Sequence, residues 1–310
     1  MIDKDNRIQD AVCLLTKVGL TPERISQGDD WYIEEFCGES TMKNPNAIQF
    51  GKLLAKIHKI PTDWFKIYRE KSKKRYPFLE GISDGSSLWL HCCNDQEKGQ
   101  YEYLQSLNLG AADIRFYDDL EPLSEVSKRV VTSHGDFHGG NALKFEDGTL
   151  IACDLENMHV GYAHHDIGYH FCISGWQSGV PVQNLEYRTA FAKAYLEESG
   201  LDSTDQDIDN LLYDAAFATI NYSFFSLLHN DITRKKKYQT WGIDYPMQYY
   251  ETIRSEWFRE KRSDEKFFES MVVAGQYYEH PELQKTKEAI LKKYGYPILS
   301  WKRCWIPTWP

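Results

Sequence analysis

Apolar residues recur at helical spacing in two stretches near the start of the chain. Residues 5–18 carry one apolar stripe, which Gly19 ends, and residues 46–59 carry a second. Apolar positions three and four residues apart are typical of one face of an amphipathic helix, so we expect a helix in each stretch. The positions expected to face a core are Ile8, Val12, Leu15, Val18, Ile48, Leu53, Leu54 and Ile57.

Short alternating runs between these helices predict a hairpin. Residues 23–26 and 31–36 flank a Gly-Asp-Asp sequence at residues 28–30, a composition that joins antiparallel strands. Residues 61–85 are basic and rich in turn formers, and we expect them to be solvated.

Helical patterns dominate the chain beyond residue 185. The stretches expected to be helical, with two weaker ones earlier in the chain, are 95–108, 121–130, 184–199, 205–230, 245–262 and 281–293. Strand patterns are confined to the start and the centre, so the sequence predicts an α+β, mainly helical fold.

The centre of the chain alternates strands and turns. Residues 130–131 predict a buried strand that leads into His-Gly-Asp at residues 134–136. Residues 142–145 and 150–153 flank a Glu-Asp-Gly turn, which is a strong hairpin signal, and Asp154 follows the second strand.

Composition excludes several classes of function. A formal net charge of −10 argues against nucleic-acid binding, because a phosphate backbone is repelled. The 7 cysteines include no Cys-x-x-Cys pair, which indicates reduced thiols and a cytoplasmic location. No run of about 18 apolar residues is present, so no membrane span is expected. The tail residues Trp301, Trp305 and Trp309 are expected to pack internally or to form a homodimer surface.

Three polar side chains have the spacing that phosphoryl transfer requires. Asn141 follows Asp136 by five residues, and Asp154 follows Asn141 by thirteen. In phosphoryl transfer one carboxylate accepts the proton of the attacking hydroxyl, and oxygen ligands hold Mg²⁺ against the phosphates. Asp136 is therefore the candidate catalytic base, and Asn141 and Asp154 are the candidate Mg²⁺ ligands.

The motifs HGDFHGGN (residues 134–141), CDLEN (153–157) and HHDIGYHF (164–171) resemble those of the choline/ethanolamine kinase family, among the aminoglycoside-phosphotransferase-like kinases. The resemblance implies a protein-kinase-like fold with a complete C-lobe. It implies three parts, which are an N-lobe remnant with the hinge, the C-lobe and a tail. Their expected ranges are 1–37, 38–262 and 263–310.

The resemblance also implies a site for ATP as co-substrate. Residues 31–36 are similar to the hinge strand whose backbone contacts adenine in these kinases. The positions expected to contact the nucleotide are Glu35, Phe36, Cys37, Leu143 and Cys153. His134 and Asp166 are implied to be structural. For Asp166, a carboxylate that braces the loop through its backbone is favoured over a link to the metal.

The acceptor implied by the family is a small amino alcohol, choline first and ethanolamine second. Choline kinases hold the ammonium group in a box of aromatic rings by cation–π attraction. The residues expected to contact the acceptor are Asp136, His138, Glu156, Tyr222, Phe225, Trp241 and Tyr245. Tyr222 and Phe225 stand where the family has Trp, and Ile173 stands where it has an acidic residue, so ethanolamine or another amino alcohol stays open.

Three other interpretations stay open. Only about 30 residues precede the hinge, and they contain neither a Gly-rich loop nor a strand Lys, so we expect a truncated N-lobe. Such a chain is either an active kinase or a pseudokinase-like binding protein, and an aminoglycoside phosphotransferase is a further alternative. A metal-dependent phosphohydrolase built on His165-Asp166 would leave residues 134–154 unexplained.

Overall fold

A computed structural model describes residues 7–28, 32–41, 46–75, 77–86, 89, 124–178, 185–215 and 218. The chain divides into two compact units, one of Met1–Lys98 with Pro122–Ala215 and one of Gly99–Glu121 with Ala216–Pro310. All described residues except Ala218 belong to the first unit. The borders 1–37, 38–262 and 263–310 stay predictions.

The described part of the chain is mixed but mainly helical, which confirms the expected fold class. Its helices are α1 (Arg7–Lys17), α2 (Ala47–His58), α3 (Lys66–Arg75), α4 (Ala163–Ser178) and α5 (Leu185–Ser199), and residues 205–215 are also helical. Its strands are β1 (Arg24–Gln27), β2 (Tyr32–Glu34), β3 (Glu39–Ser40), β4 (Val130–Ser133), β5 (Ala142–Lys144), β6 (Leu150–Ala152) and β7 (His159–Tyr162).

Three small antiparallel sheets carry the site. Strands β1 and β2 form the expected hairpin, and β5 and β6 form the other, with Ala142 opposite Ala152 and Lys144 opposite Leu150. Strand β3 adds to the free edge of β5. The third sheet pairs β4 with β7, so it joins the strands that precede and follow residues 134–158. No local alternation in the sequence had indicated β7.

Helices α1 and α2 form where the apolar stripes predicted them. Asn46 caps α2 by accepting the Gln49 N–H at 3.0 Å. Two positions expected in the core are exposed instead, Val18 at 58% and Ile48 at 50%. Val18 lies beyond the end of α1, and Ile48 lies on the side of α2 away from the buried Phe50 and Leu54.

The expectation that residues 61–85 are solvated is wrong. They form α3 between two short 3₁₀ turns, with Phe65, Tyr68, Arg69 and Ser72 on one buried face. Arg69 is tolerated in this face because Asp84 pairs with it at 2.5 Å. Two of these four buried positions are polar, so the spacing of apolar residues alone did not indicate a helix here.

A helix over 121–130 is also wrong where it is described, because residues 124–129 form turns. The side chain of buried Asp214 accepts the Ser124 N–H at 3.0 Å, a contact between distant parts of the sequence.

Helices expected over 95–108, 245–262 and 281–293 lie outside the described residues. Among the helices that are described, none has the length and apolar character needed to cross a membrane.

Helices α2 and α5 pack against each other at Gly51. A Cβ atom placed on Gly51 would lie 2.4 Å from the Phe191 carbonyl oxygen and 3.1 Å from the Tyr195 nitrogen. Real Cβ atoms do not approach backbone atoms so closely, so any side chain at this position must separate the helices.

We therefore expect Gly51→Ala to lower the thermal unfolding midpoint and to cost about 1–3 kcal/mol, because the helix–helix contact must open. The matched control is Lys52→Ala, which changes an exposed neighbour on the same helix and should leave the midpoint unchanged. Equal midpoints for Gly51→Ala and the unsubstituted protein would contradict the close approach.

Candidate active site

Asp166, in the first turn of α4, holds the backbone of the loop that follows β4. Its Oδ2 accepts the His134 N–H at 2.7 Å, and its Oδ1 accepts the Gly135 N–H at 2.9 Å. Gly135 has φ +80°, and a Cβ there would lie 2.2 Å from the Asn157 carbonyl oxygen, so only glycine fits this turn. The contact expected from sequence between Asp166 and the loop backbone is present.

A buried histidine and tyrosine complete this brace. His58 at the end of α2 places Nε2 3.1 Å from Asp166 Oδ2, and its Nδ1 lies 2.8 Å from the Tyr195 hydroxyl. Burial lowers the pKa of His58, so the ring is neutral, receives the Tyr195 proton at Nδ1 and donates from Nε2. Burial alone would raise the pKa of Asp166, but the His58 hydrogen bond and nearby histidine charges lower it to about 2. The buried carboxylate is therefore ionised.

His134 connects the loop to the hairpin. Its Nε2 lies 3.0 Å from the Cys153 carbonyl oxygen, and its Nδ1 accepts the Asp136 N–H at 3.3 Å. The Cys153 N–H in turn donates to the Asn141 carbonyl at 3.0 Å. These bonds place the ring within the scaffold, in keeping with the structural role expected for it.

Asp136 is oriented by three side chains. Asn141 Nδ2 donates to the Asp136 carbonyl at 2.9 Å and to Oδ2 at 3.0 Å, and the Tyr169 hydroxyl donates to Oδ1. His138 Nδ1 accepts the Gly140 N–H at 2.9 Å, so the proton of the neutral ring lies on Nε2, 3.5 Å from Oδ1. The carboxylate therefore has a fixed direction before any substrate arrives.

Asp154 follows β6 in a left-handed backbone conformation. Its φ of 59° and ψ of 62° make it the one non-glycine residue with positive φ in the described part of the chain. Asp tolerates this conformation better than most residues, and such strain is concentrated at functional sites. The 3₁₀ turn Leu155–Asn157 comes next, and the buried Arg7 of α1 donates to the carbonyls of Glu156 and Met158.

Three carboxylates share this end of the site. Partial burial raises the pKa of Asp154, and the negative charge of Asp136 raises it further. The Asp154 residue is nevertheless solvent-exposed. The pKa of Glu156 is also raised, first by partial burial and then by Asp154 and Asp136, while Arg7 lowers it. The site is thus a region of negative potential that a cation would relieve.

The donor atoms suit Mg²⁺. Asp154 offers a carboxylate, and Asn141 uses its amide N–H₂ on Asp136, which turns the amide oxygen towards other ligands. Mg²⁺ commonly takes one or two protein oxygens and completes its shell with water and phosphate oxygens. Within the described ranges no group of three or more His, Cys, Asp or Glu side chains could hold a metal ion, so the pair Asn141 and Asp154 would need phosphate ligands as well.

The expected hinge residues border an open cleft of about 1170 Å³. It is lined by residues 36–41 and 144–147. Phe36 is 87% exposed at the cleft, and Cys37 is buried. The Glu35 N–H donates to the Glu23 carbonyl at 2.9 Å, so this N–H is already used within the hairpin.

The other two expected nucleotide contacts lie on the central hairpin. Leu143 is half-buried on β5, opposite Ser40 of β3. Cys153 follows β6, and burial together with the Asp154 and Glu34 charges raises the pKa of its thiol to about 11. The Cys153 thiol is therefore neutral and is not a nucleophile.

The structure brings together only part of the expected acceptor site. His138 and Glu156 lie with Asp136 and Asp154. Tyr222, Phe225, Trp241 and Tyr245 lie outside the described residues and stay predictions.

Three residues that orient the site were not predicted from the sequence: Tyr169, His58 and Arg7. Tyr169 had a usable signal, because it lies three residues after Asp166 and therefore one helical turn further along the same face. His58 was assigned only to the end of a helix. Arg7 reaches its partners across about 150 residues of sequence, and no local pattern reports such a contact.

The chain matches the family model described as "Phosphotransferase enzyme family" over residues 27–206. No match was found among curated proteins.

Several solved kinases are similar in structure. An ethanolamine kinase from Plasmodium vivax has 18% sequence identity and a TM-score of 0.56, covering 84% of this chain and 75% of that one. A choline kinase from Cryptosporidium parvum Iowa II has 14% identity and a TM-score of 0.48, covering 84% and 78%. A choline/ethanolamine kinase family protein from Mesorhizobium loti has 13% identity and a TM-score of 0.47, covering 87% and 83%.

The first of these structures shows that the fold is that of the protein-kinase-like phosphotransferases. The family match covers more than half of the chain, and the chain therefore belongs to the phosphotransferase enzyme family. The family resemblance seen in the sequence is confirmed at this level.

The Asp166 brace predicts a pH dependence of stability. A carboxyl whose pKa is about 2 in the folded protein, against the usual 3.8, stabilises the fold at neutral pH by roughly 2 kcal/mol. Because the folded pKa is the lower one, this contribution is complete above about pH 5 and is lost as the pH falls towards 2.

We expect Asp166→Asn to lower the thermal midpoint at pH 7, and the gap from the unsubstituted protein to narrow below pH 4. Asp202→Asn, at an exposed position, should produce no gap at either pH. A gap for Asp166→Asn that stays constant from pH 7 to pH 3 would show that the ionised carboxylate contributes nothing.

Proposed function

We propose that this phosphotransferase transfers the γ-phosphoryl group of ATP, with Mg²⁺, to the hydroxyl of a small amino alcohol, choline first and ethanolamine second. The observation that supports it most strongly is the fixed Asp136 carboxylate beside Asn141 and Asp154. A base with a set direction next to oxygen ligands for a metal is the minimum that phosphoryl transfer requires.

Asp136 would accept the proton of the acceptor hydroxyl. Each carboxylate oxygen has two lone pairs, so Oδ2, which accepts the Asn141 N–H, can accept an acceptor hydroxyl with its second lone pair. The acceptor oxygen forms a bond to the γ-phosphorus as the bond from phosphorus to the β–γ bridging oxygen breaks. ADP leaves, and the proton passes to Asp136.

The rest of the constellation would hold the nucleotide. Asn141 and Asp154 would bind Mg²⁺, which when bound neutralises charge on the phosphate oxygens. The backbone after Glu35 would contact adenine at the cleft. Leu143 on β5 and Cys153 after β6 would contact the nucleotide from the central hairpin.

A cationic acceptor suits the charges of the site. After partial burial, the charge of Asp136 helps to raise the pKa values of Asp154 and Glu156, and an ammonium group nearby would relieve that repulsion. Aminoglycosides are also cationic, so this argument favours amines as a class. The preference for choline depends on the aromatic residues Tyr222, Phe225, Trp241 and Tyr245, which stay predictions.

The first test is the release of ADP from ATP with Mg²⁺, measured with and without choline or ethanolamine. We expect acceptor-dependent release from the unsubstituted chain, and a loss of at least a hundredfold in Asp136→Asn, because general base catalysis contributes about 10²–10⁴-fold. Asp205→Asn, at an exposed position in the helix over 205–215, should retain full activity.

The outcomes separate the alternatives. Release that depends on an aminoglycoside but on neither amine would reassign the acceptor. Magnesium-dependent binding of ATP without any turnover would indicate a pseudokinase-like binding protein and contradict the catalytic proposal.

Tyr169 allows a second test of the same geometry. Tyr169→Phe removes the hydroxyl that bonds Asp136 Oδ1 but keeps the ring, so Asp136 loses one of its three orienting contacts. A hydrogen bond to a charged group contributes about 1.5–3 kcal/mol, so we expect kcat to fall about tenfold or more with KM for ATP unchanged. Unchanged kcat would show that Asn141 and His138 orient Asp136 without Tyr169.

A further inference from the structure

Arg24, at the start of β1, has its guanidinium held in one place by the neighbouring strand. Its Cζ lies 4.5 Å from the centre of the Tyr32 ring, and its Nη2 lies 3.4 Å from Glu34 Oε1. Arg24 is opposite Glu34 in the β1–β2 register, and Tyr32 precedes Glu34 by two residues, so all three side chains share one face of the hairpin.

Helix α1 adds a third contact. Arg24 Nη1 donates to Gln9 Oε1 at 2.8 Å, and only 16% of the Arg24 side chain is exposed. A long flexible side chain is thus fixed by a carboxylate, an amide and an aromatic ring. Holding an arginine side chain in one conformation costs side-chain entropy. Ordered arginines are typical of sites where the guanidinium binds a ligand or a partner group.

Backbone contacts place this face beside the segment that contains Asp154. The Ala152 N–H donates to the Leu20 carbonyl at 2.8 Å, which joins the end of β6 to the chain just before β1. Arg7, two residues before Gln9 on α1, donates to the carbonyls of Glu156 and Met158. Elements on both sides of Arg24 are therefore attached to residues 152–158.

The electrostatics agree with this placement. Partial burial and the Glu34 charge raise the pKa of Tyr32, and Arg24 lowers it. The charges of Asp154 and Glu156 also raise it, so both carboxylates lie within range of the ring that Arg24 covers. Arg24 is consequently a cation at the edge of an acidic site.

We propose that Arg24 binds the phosphate groups of the nucleotide. The proposal rests on the proposed function and adds a phosphate-binding residue to it. A polyphosphate placed beside Asp136, Asp154 and Glu156 is repelled by these carboxylates, and a protein cation would offset that charge together with Mg²⁺. A guanidinium has five N–H donors in a planar fork that fits phosphate oxygens, so a phosphate would add to the partners of Arg24 or exchange with one of them.

Arg7 has a different role. Its guanidinium donates to two backbone carbonyls in a buried setting, where it fixes the segment after Asp154. Arg7 is a positioning residue, whereas Arg24 combines a fixed charge with partial exposure.

The binding affinities of nucleotides test the role of Arg24 and do not require the protein to catalyse a reaction. The dissociation constants of adenosine, AMP, ADP and ATP would be measured with Mg²⁺ by calorimetry for the full chain, Arg24→Gln and Arg24→Lys. We expect the full chain to bind ADP and ATP more tightly than adenosine. Arg24→Gln should weaken ADP and ATP about tenfold or more and leave adenosine unchanged, because only the phosphates lose a partner.

The control is Lys17→Gln, which removes one positive charge at the exposed end of α1 and should alter none of the four constants. Arg24→Lys keeps the charge without the fork, so ADP should weaken by less than in Arg24→Gln while adenosine stays unchanged. This variant carries the test if Arg24→Gln does not fold.

Three results would overturn the proposal. Unchanged ADP affinity in both Arg24 variants would show that Arg24 does not touch phosphate. An equal loss for adenosine and ADP would make Arg24 a structural residue of the hairpin. In both cases nucleotide binding by the full chain leaves the proposed function intact, whereas a full chain that binds no nucleotide would end the proposed function and this proposal together.

Discussion

The site depends on one buried carboxylate, that of Asp166. It is ionised, it is removed from water, and it accepts two consecutive loop N–H groups together with the His58 ring. An ionised carboxylate in a protein interior is unfavourable unless its oxygens accept hydrogen bonds. If the loop moved away, the buried Asp166 charge would lose two of its donors, so the loop is held in place. Helix α2 and helix α5, through Tyr195, are tied to the same point. The direction of the loop is thereby set before any ligand binds.

From this brace the geometry passes outward by short steps. The turn at Gly135 delivers Asp136, Asn141 fixes the carboxylate of Asp136, and the backbone of Asn141 holds the residue before Asp154. Each of these contacts is a hydrogen bond, and each one positions the group that makes the next. The resulting cluster of carboxylates is unfavourable by itself: partial burial, and then the charge of Asp136, raise the pKa values of Asp154 and Glu156. A site of this kind is stable only because the rigid scaffold prevents the charges from separating.

The sequence predicted what local chemistry determines. The hairpin of β5 and β6 follows from a Glu-Asp-Gly turn, and the intervals among Asp136, Asn141 and Asp154 follow from the loop and hairpin lengths. Helix α3 was missed because its buried face contains Arg69, whose charge is compensated by a residue fifteen positions away. Strand β7 and the contacts of Arg24 were also missed, because they depend on contacts between residues that are far apart in the sequence.

A crystal structure of the full chain with Mg²⁺ and a non-hydrolysable ATP analogue tests the central claim most directly. The account predicts a metal ion held by the Asn141 and Asp154 side chains, with the γ-phosphate facing Asp136 and the loop N–H groups still bonded to Asp166. A nucleotide bound away from these residues, or a loop released from Asp166 when the nucleotide is bound, would contradict it.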